Sequence, residues 1–180
     1  LHEGHCSLMR QAKTLCDRLV VSIYVNPTQF APHEDLNEYP RDAQGDHQKS
    51  QAAGADLVWL AQRHDIYPPN WATTIVPKGV GLGLETDHRP HFFTGVATVV
   101  ARLFSLVRPD VAVFGEKDYQ QLLVVRQLND DLRLGVEIVG GRLVRDEDGL
   151  ALSSRNVYLE PAARAQARVV PKALQVICKA

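Results

Sequence analysis

Cysteine is scarce in this sequence and nowhere arranged for chemistry. Cys6, Cys16 and Cys178 form no C-x-x-C pair and are odd in number, so they read as reduced, cytosolic packing thiols. An excess of either charge is lacking too. Twenty Lys and Arg stand against 21 Asp and Glu, leaving a net charge of −1. That excludes the broad basic field of a nucleic-acid binder but leaves room for a local anion pocket. No apolar run approaches the roughly 18 residues of a membrane span, and no signal peptide is visible. The expectation is a cytoplasmic protein with neither nucleic acid nor membrane as partner. Also missing are the phosphate loop G-x-x-x-x-G-K-[ST], the G-x-S-x-G elbow, internal repeats and low-complexity tracts.

What is present is a globular composition, 45% hydrophobic over 180 residues. That suffices for one substantial domain, or one domain and part of a second. The opening LHEGH sets His2 and His5 three apart at the lip of a helix over residues 3–16, with Leu8, Ala12 and Leu15 on one stripe. Zinc proteases space their histidines four apart with Glu after the first, so no metal site is assigned here. Strands are predicted over residues 18–26, 55–60 and 110–115, with one or two more over 135–145 and a further one over 72–77. Helices are predicted over 44–53, 94–107, 118–132 and from Pro161 to the end. The glycines at 79, 81 and 83 have G-x-G-x-G spacing with no amphipathic helix directly behind, which indicates a mobile connection rather than a dinucleotide loop. Trp59, Tyr67 and Trp71 read as packing residues, whereas Asp46 and Glu85 have no legible role.

Alternation of strands and helices implies an α/β fold, a Rossmann-like doubly wound parallel sheet. Ligands of such sheets sit beyond the carboxyl ends of the strands. Four polar clusters qualify: HEGH, which would follow a strand upstream of Leu1, NPTQF at 26–30, GEKDYQQ at 115–121 and LSSRN at 152–156. Their chemistry is that of an anion site. His2 and His5 lie where a helix start offers unpaired N–H groups. Lys117 is a point charge and Arg155 a forked donor, both suited to phosphate. Ser153 and Ser154 add hydroxyls, Gly115 admits a backbone close to a ligand, and Asp118 can accept from a ribose. Asn26 and Gln29 suit a hydroxylated substrate. With many anion donors and no protein nucleophile, the substrate itself must supply the attacking group, and catalysis proceeds by orientation and electrostatics. Taken singly, each cluster has a plain alternative: surface histidines, a solvated helix start with Asp118 as N-cap, or a loop and cap at LSSRN.

From Leu1 to about Ala167, the segments LHEGH, VNPTQF, YPRD, FGEKDYQQL and DGLALSSRNVYL resemble, in order and spacing, the pantoate–β-alanine ligase family of the HIGH-motif nucleotidyltransferases. The resemblance implies a two-step reaction with ATP and Mg²⁺, in which pantoate forms a pantoyl adenylate that β-alanine then attacks. It implies phosphate contacts from His2 and His5, and triphosphate neutralisation by Lys117, Ser153, Ser154 and Arg155. Nucleotide contacts from Gly4, Gly115, Asp118, Val144 and Leu152 follow from it as well, with Asn26, Gln29 and Gln121 at pantoate and no protein-held metal. It further implies a homodimer, a lid over residues 31–41, a catalytic domain at 1–156 lacking its N-terminal strand, and the start of a small C-terminal domain at 157–180. The chain departs from the family at Phe92, where a histidine is usual, leaving His91 one place early, and at Arg142, where a proline is usual. Two other readings stay open: another HxGH adenylyltransferase, and a truncated nucleotide-binding chain without turnover.

Overall fold

Strand β1 (Val20–Ile23) lies parallel to β2 (Leu57–Leu60), Val20 facing Leu57 and Ile23 facing Leu60. This is a computed structural model, and it describes residues 1–31 and 33–178. A second parallel pair joins β3 (Val111–Gly115) to β4 (Glu137–Gly141), with Val111 opposite Glu137 and Gly115 opposite Gly141. Parallel neighbours need a crossover, and a helix supplies each one. Helix α2 (Ala43–Ala52) lies between β1 and β2, while α6 (Tyr119–Leu132) lies between β3 and β4. The parallel α/β arrangement is the one expected, but the described strands form two separate pairs rather than one continuous sheet.

Between β2 and β3 the chain forms α3 (Arg63–Ile66), α4 (Glu85–His88) and α5 (Phe92–Val107). Helix α5 carries the core. Phe93, Val96, Ala97, Val99, Val100 and Phe104 are buried, and they meet Leu128, Val124 and Val125 of α6. Trp59, Tyr67 and Trp71 pack on this cluster, as expected of them. The first helix, α1 (Glu3–Lys13), buries Cys6 and Met9 in a smaller cluster with Leu19 and Ala53. It also lies against the second strand pair, where Gln11 Nε2 donates to the Gly140 carbonyl at 3.2 Å. A methyl group on Gly141 would come within 2.0 Å of Leu8 Cδ2, so that glycine lets α1 dock on the sheet.

Several local expectations are corrected. Residues 72–77 form no strand; the Ile75 amide donates instead to Thr98 Oγ1 of α5 at 2.9 Å. The glycine run is a 3₁₀ turn, Gly79–Gly81, fastened by Gln120 Nε2, which donates to the Val80 and Gly83 carbonyls at 3.1 Å. The last helix is two, α7 (Pro161–Ala167) and α8 (Val169–Ile177), because Pro171 has no amide to continue the ladder and fits only a first turn. The last two residues of that expected helix, and Pro32 of the expected lid, lie outside the described residues. Cys178 is exposed, so unlike Cys6 it does not pack. Asp46, without a legible role in the sequence, is buried on α2, where its carbonyl accepts from Ser50 Oγ at 2.8 Å.

Candidate active site

The four polar clusters come together around a single cavity of about 630 Å³. Its first wall is the start of α1. His2, Gly4 and His5 line the cavity, the two imidazoles 3.9 Å apart between ring centres. The His2 backbone amide donates to His5 Nδ1 at 3.2 Å. That bond uses His5 Nδ1 as an acceptor, so the neutral ring carries its proton on Nε2, the remaining donor. Burial, reinforced by His2 and by the Lys117 charge, lowers the His5 pKa to about 4. Burial also lowers that of His2, again with help from neighbouring positive charges. At neutral pH both are therefore uncharged N–H donors.

A test of stability follows. His5 titrates at about 6.5 when unfolded and about 4 when folded, so the unfolded chain binds the extra proton in that interval. Its contribution to stability is complete above pH 6.5 and is lost as pH falls toward 4. The loss is on the order of 3 kcal/mol. Denaturant midpoints recorded across that interval should fall less steeply for His5→Gln than for the parent chain, and equal slopes would contradict the assignment.

The second wall is the 3₁₀ turn Pro27–Gln29 after β1. Asn26 and Gln29 both line the cavity, yet they are not equivalent. Asn26 is only 4% exposed. Its Nδ2 donates to Gln29 Oε1 at 2.9 Å and to the Gly95 carbonyl at 3.3 Å, while its Oδ1 accepts from Tyr67 Oη at 3.2 Å and Thr28 Oγ1 at 3.0 Å. Asn26 thus holds the turn and aims Gln29. The turn rests directly on α5, for a methyl group at Gly95 would stand 2.7 Å from the Thr28 carbonyl oxygen.

Gly115, Lys117, Asp118 and Gln121 line the third wall, where β3 runs into α6. Lys117 Nζ reaches Asp118 Oδ1 at 3.1 Å. The fourth wall begins where the Leu152 amide donates to the Val144 carbonyl at 3.0 Å, and an antiparallel bridge joins Arg145 to Ala151. This hairpin presents Val144, Leu152, Ser153, Ser154 and Arg155 to the cavity. Ser153 Oγ caps the turn by accepting from the Arg155 amide at 3.3 Å.

Arg89 was not singled out in the sequence, yet it lines the same space. It donates to Glu85 Oε1 and the Gln29 carbonyl at 2.8 Å each and to Glu34 Oε2 at 2.9 Å, and lies 4.2 Å over the Phe92 ring. No local pattern could have revealed partners 55 and 60 residues away. Phe92 and Arg142, the two departures from the family, also line the cavity. His91 does not; it borders a separate cavity of about 270 Å³ with Tyr67, Trp71 and Thr98. Among the described residues, Arg89, Lys117, Arg142 and Arg155 set four fixed positive charges in the main cavity against Glu85 and Asp118, and no cysteine lines it. Such a space suits a polyanion.

The sequence profile described as pantoate-beta-alanine ligase matches residues 1–179. The chain belongs to the pantoate–β-alanine ligase family. A pantothenate synthetase of Bradyrhizobium sp. strain BTAi1 is 57% identical over 176 residues, which is 97% of this chain and 62% of that protein. One from Nitrobacter hamburgensis is 52% identical over 180 residues, 99% of this chain and 64% of its own. The chain therefore spans less than two thirds of the length of these family members. The crystal structure of pantothenate synthetase from Thermus thermophilus superposes with a TM-score of 0.95 at 50% identity, covering 97% of this chain and 64% of that one. The pantoate–β-alanine ligase of Francisella tularensis, solved with β,γ-ATP and β-alanine, gives 0.91 at 37% identity, with 97% and 67% covered. Membership of this family displaces the reading as a different HxGH adenylyltransferase.

Proposed function

We propose that the cavity takes ATP and pantoate and that the chain serves the ATP-dependent joining of pantoate to β-alanine. One observation carries this reading: four segments far apart in sequence bring fixed cations and two neutral imidazole donors to one cavity whose described walls offer no cysteine. A pantoate carboxylate oxygen attacks the α-phosphorus of ATP, and pyrophosphate leaves. The β-alanine amine then attacks the acyl carbon of the adenylate, gives up a proton, and AMP leaves with the former carboxylate oxygen.

His2 and His5 donate to the α-phosphate oxygens as charge builds there, each such donor being worth about 3–4 kcal/mol of barrier. Lys117, Ser153, Ser154 and Arg155 hold the triphosphate. Gly4, Gly115, Asp118, Val144 and Leu152 form the nucleoside wall, with Asp118 toward the ribose. Gln29 and Gln121 hold pantoate, and Asn26 fixes Gln29. Mg²⁺ arrives with the triphosphate as part of the substrate. The described residues of the 31–41 segment shield the adenylate from water, which would otherwise hydrolyse it.

Residues 1–156 form the catalytic body in this reading, and 157–180 begin a second domain. The exposure of Val169, Val170, Leu174, Val176 and Ile177 on the last helix supports that division. The remaining assignments are a homodimer and a cytoplasmic setting; among the described residues no helix is long and apolar enough to cross a membrane. AMP release from MgATP, with pantoate and β-alanine omitted in turn, tests the function. Release that needs both acids is the expected result. ATP binding without AMP release under any condition would instead favour the binding-only reading.

A further inference from the structure

Arg155 lines the cavity, but one edge of its guanidinium is already committed. Nε donates to Asp35 Oδ2 at 3.0 Å and Nη2 to Asp35 Oδ1 at 2.8 Å, a two-point pairing. Asp35 is not itself among the lining residues, so it grips the arginine from behind. The planar fork has five N–H groups, and this grip leaves Nη1 and the second Nη2 hydrogen for an anion in front. Aromatic rings complete the seat. The guanidinium carbon lies 5.7 Å from the centre of Phe30 and 5.4 Å from that of Tyr39, whose rings meet edge to face. The Tyr158 hydroxyl donates to the Glu38 carbonyl at 3.1 Å, tying the acidic segment to the Ser-Ser-Arg turn a second time. The bond to Arg155 holds the Asp35 carboxyl below its usual range, so it stays ionised through neutral pH.

Resting on the nucleotide reading above, we propose that Asp35 is a positioning residue for the phosphate chain: it fixes Arg155 in the orientation that presents its free edge to the triphosphate. Without this grip, a long side chain that is 46% exposed would sample many rotamers, and ordering it on binding would weaken the complex. Glu34, the preceding residue, pairs with Arg89, accepting from its Nη2 at 2.9 Å, and Arg89 in turn holds the Gln29 carbonyl. Two adjacent carboxylates thus each secure an arginine that lines the cavity.

A double-mutant cycle on ATP and adenosine binding tests this, read by calorimetry on the full chain. Asp35→Ala should weaken ATP binding by about tenfold, leave adenosine unchanged, and have no effect in an Arg155→Ala background. Asp35→Asn, which keeps the packing and one acceptor oxygen, should fall between Asp35→Ala and the parent. Tighter ATP binding by Asp35→Ala would overturn the inference by showing that the carboxylate competes with phosphate. An undiminished loss in the Arg155→Ala background would overturn it by assigning Asp35 a purely structural part. If the parent chain binds no ATP, the nucleotide reading fails and this inference with it, whereas equal binding by parent and variants defeats the inference alone.

Discussion

Replacing His5 with alanine is expected to lower pantoate-dependent exchange of pyrophosphate into ATP by about 100- to 1000-fold. The residue lines the cavity as a neutral donor whose Nδ1 is engaged by the His2 amide, which puts its proton on Nε2. Charge on the α-phosphate grows as pyrophosphate departs, so the bond strengthens toward the transition state and its loss falls on kcat more than on KM. The variant should remain folded. It loses a ring whose uncharged state destabilises the fold only in acid, so its acid limb should be shallower than the parent's. His5→Asn can restore the Nδ1 acceptor for the His2 amide but is too short to reach where Nε2 lies, so it should rescue the helix start without rescuing exchange. Exchange within threefold of the parent in either variant would remove His5 from the chemistry.

Gly95→Ala should have the second large effect, although the residue does not line the main cavity. Its added methyl would meet the Thr28 carbonyl oxygen at 2.7 Å and the carbonyl carbon at 2.9 Å. Backbone cannot swing aside as a side-chain end can, so the turn bearing Gln29 must move. Overpacking of this kind costs about 1–3 kcal/mol. On the role proposed for Gln29, displacing it by even part of an ångström should reduce kcat/KM for pantoate by about 10- to 100-fold. The Asn26 bond to the Gly95 carbonyl, 3.3 Å long, would be strained by the same shift. Thermal melts and pantoate titrations of the variant measure both effects. A normal melting temperature with normal pantoate dependence would show that the turn is not held as described.

Much of the site was legible because its chemistry follows strands. GEKDYQQ comes directly after β3 and NPTQF after β1, and the carboxyl ends of parallel strands are where such folds gather polar groups. The core face of α5 was legible from its 3.6-residue spacing, and Val96, Val99, Val100 and Phe104 are indeed buried. Residues 72–77 misled because β-branched residues suit a strand, yet the Ile75 amide found a threonine hydroxyl on α5 rather than a neighbouring strand. The last helix misled because one proline inside a favourable pattern was outweighed by its neighbours, while the missing amide of Pro171 still ended the ladder. Arg89 and Asp35 were invisible for another reason. Each acts through partners far off in sequence, Asp35 through an arginine 120 residues away, and only the folded chain brings them together. Asn26 was legible as a polar residue of this cavity but not as one whose amide is spent inside the protein.

The most direct test of the central claim, that the substrate supplies the nucleophile, follows the carboxylate oxygen. Pantoate labelled with oxygen-18 in its carboxylate is turned over with MgATP and β-alanine, and the phosphorus products are analysed by mass. The expected result is one labelled oxygen in AMP and none in pyrophosphate, because the oxygen that attacks the α-phosphorus remains on it when the amine displaces AMP. Unlabelled AMP, or label in inorganic phosphate, would contradict the adenylate route and with it the roles given to His2, His5 and Lys117.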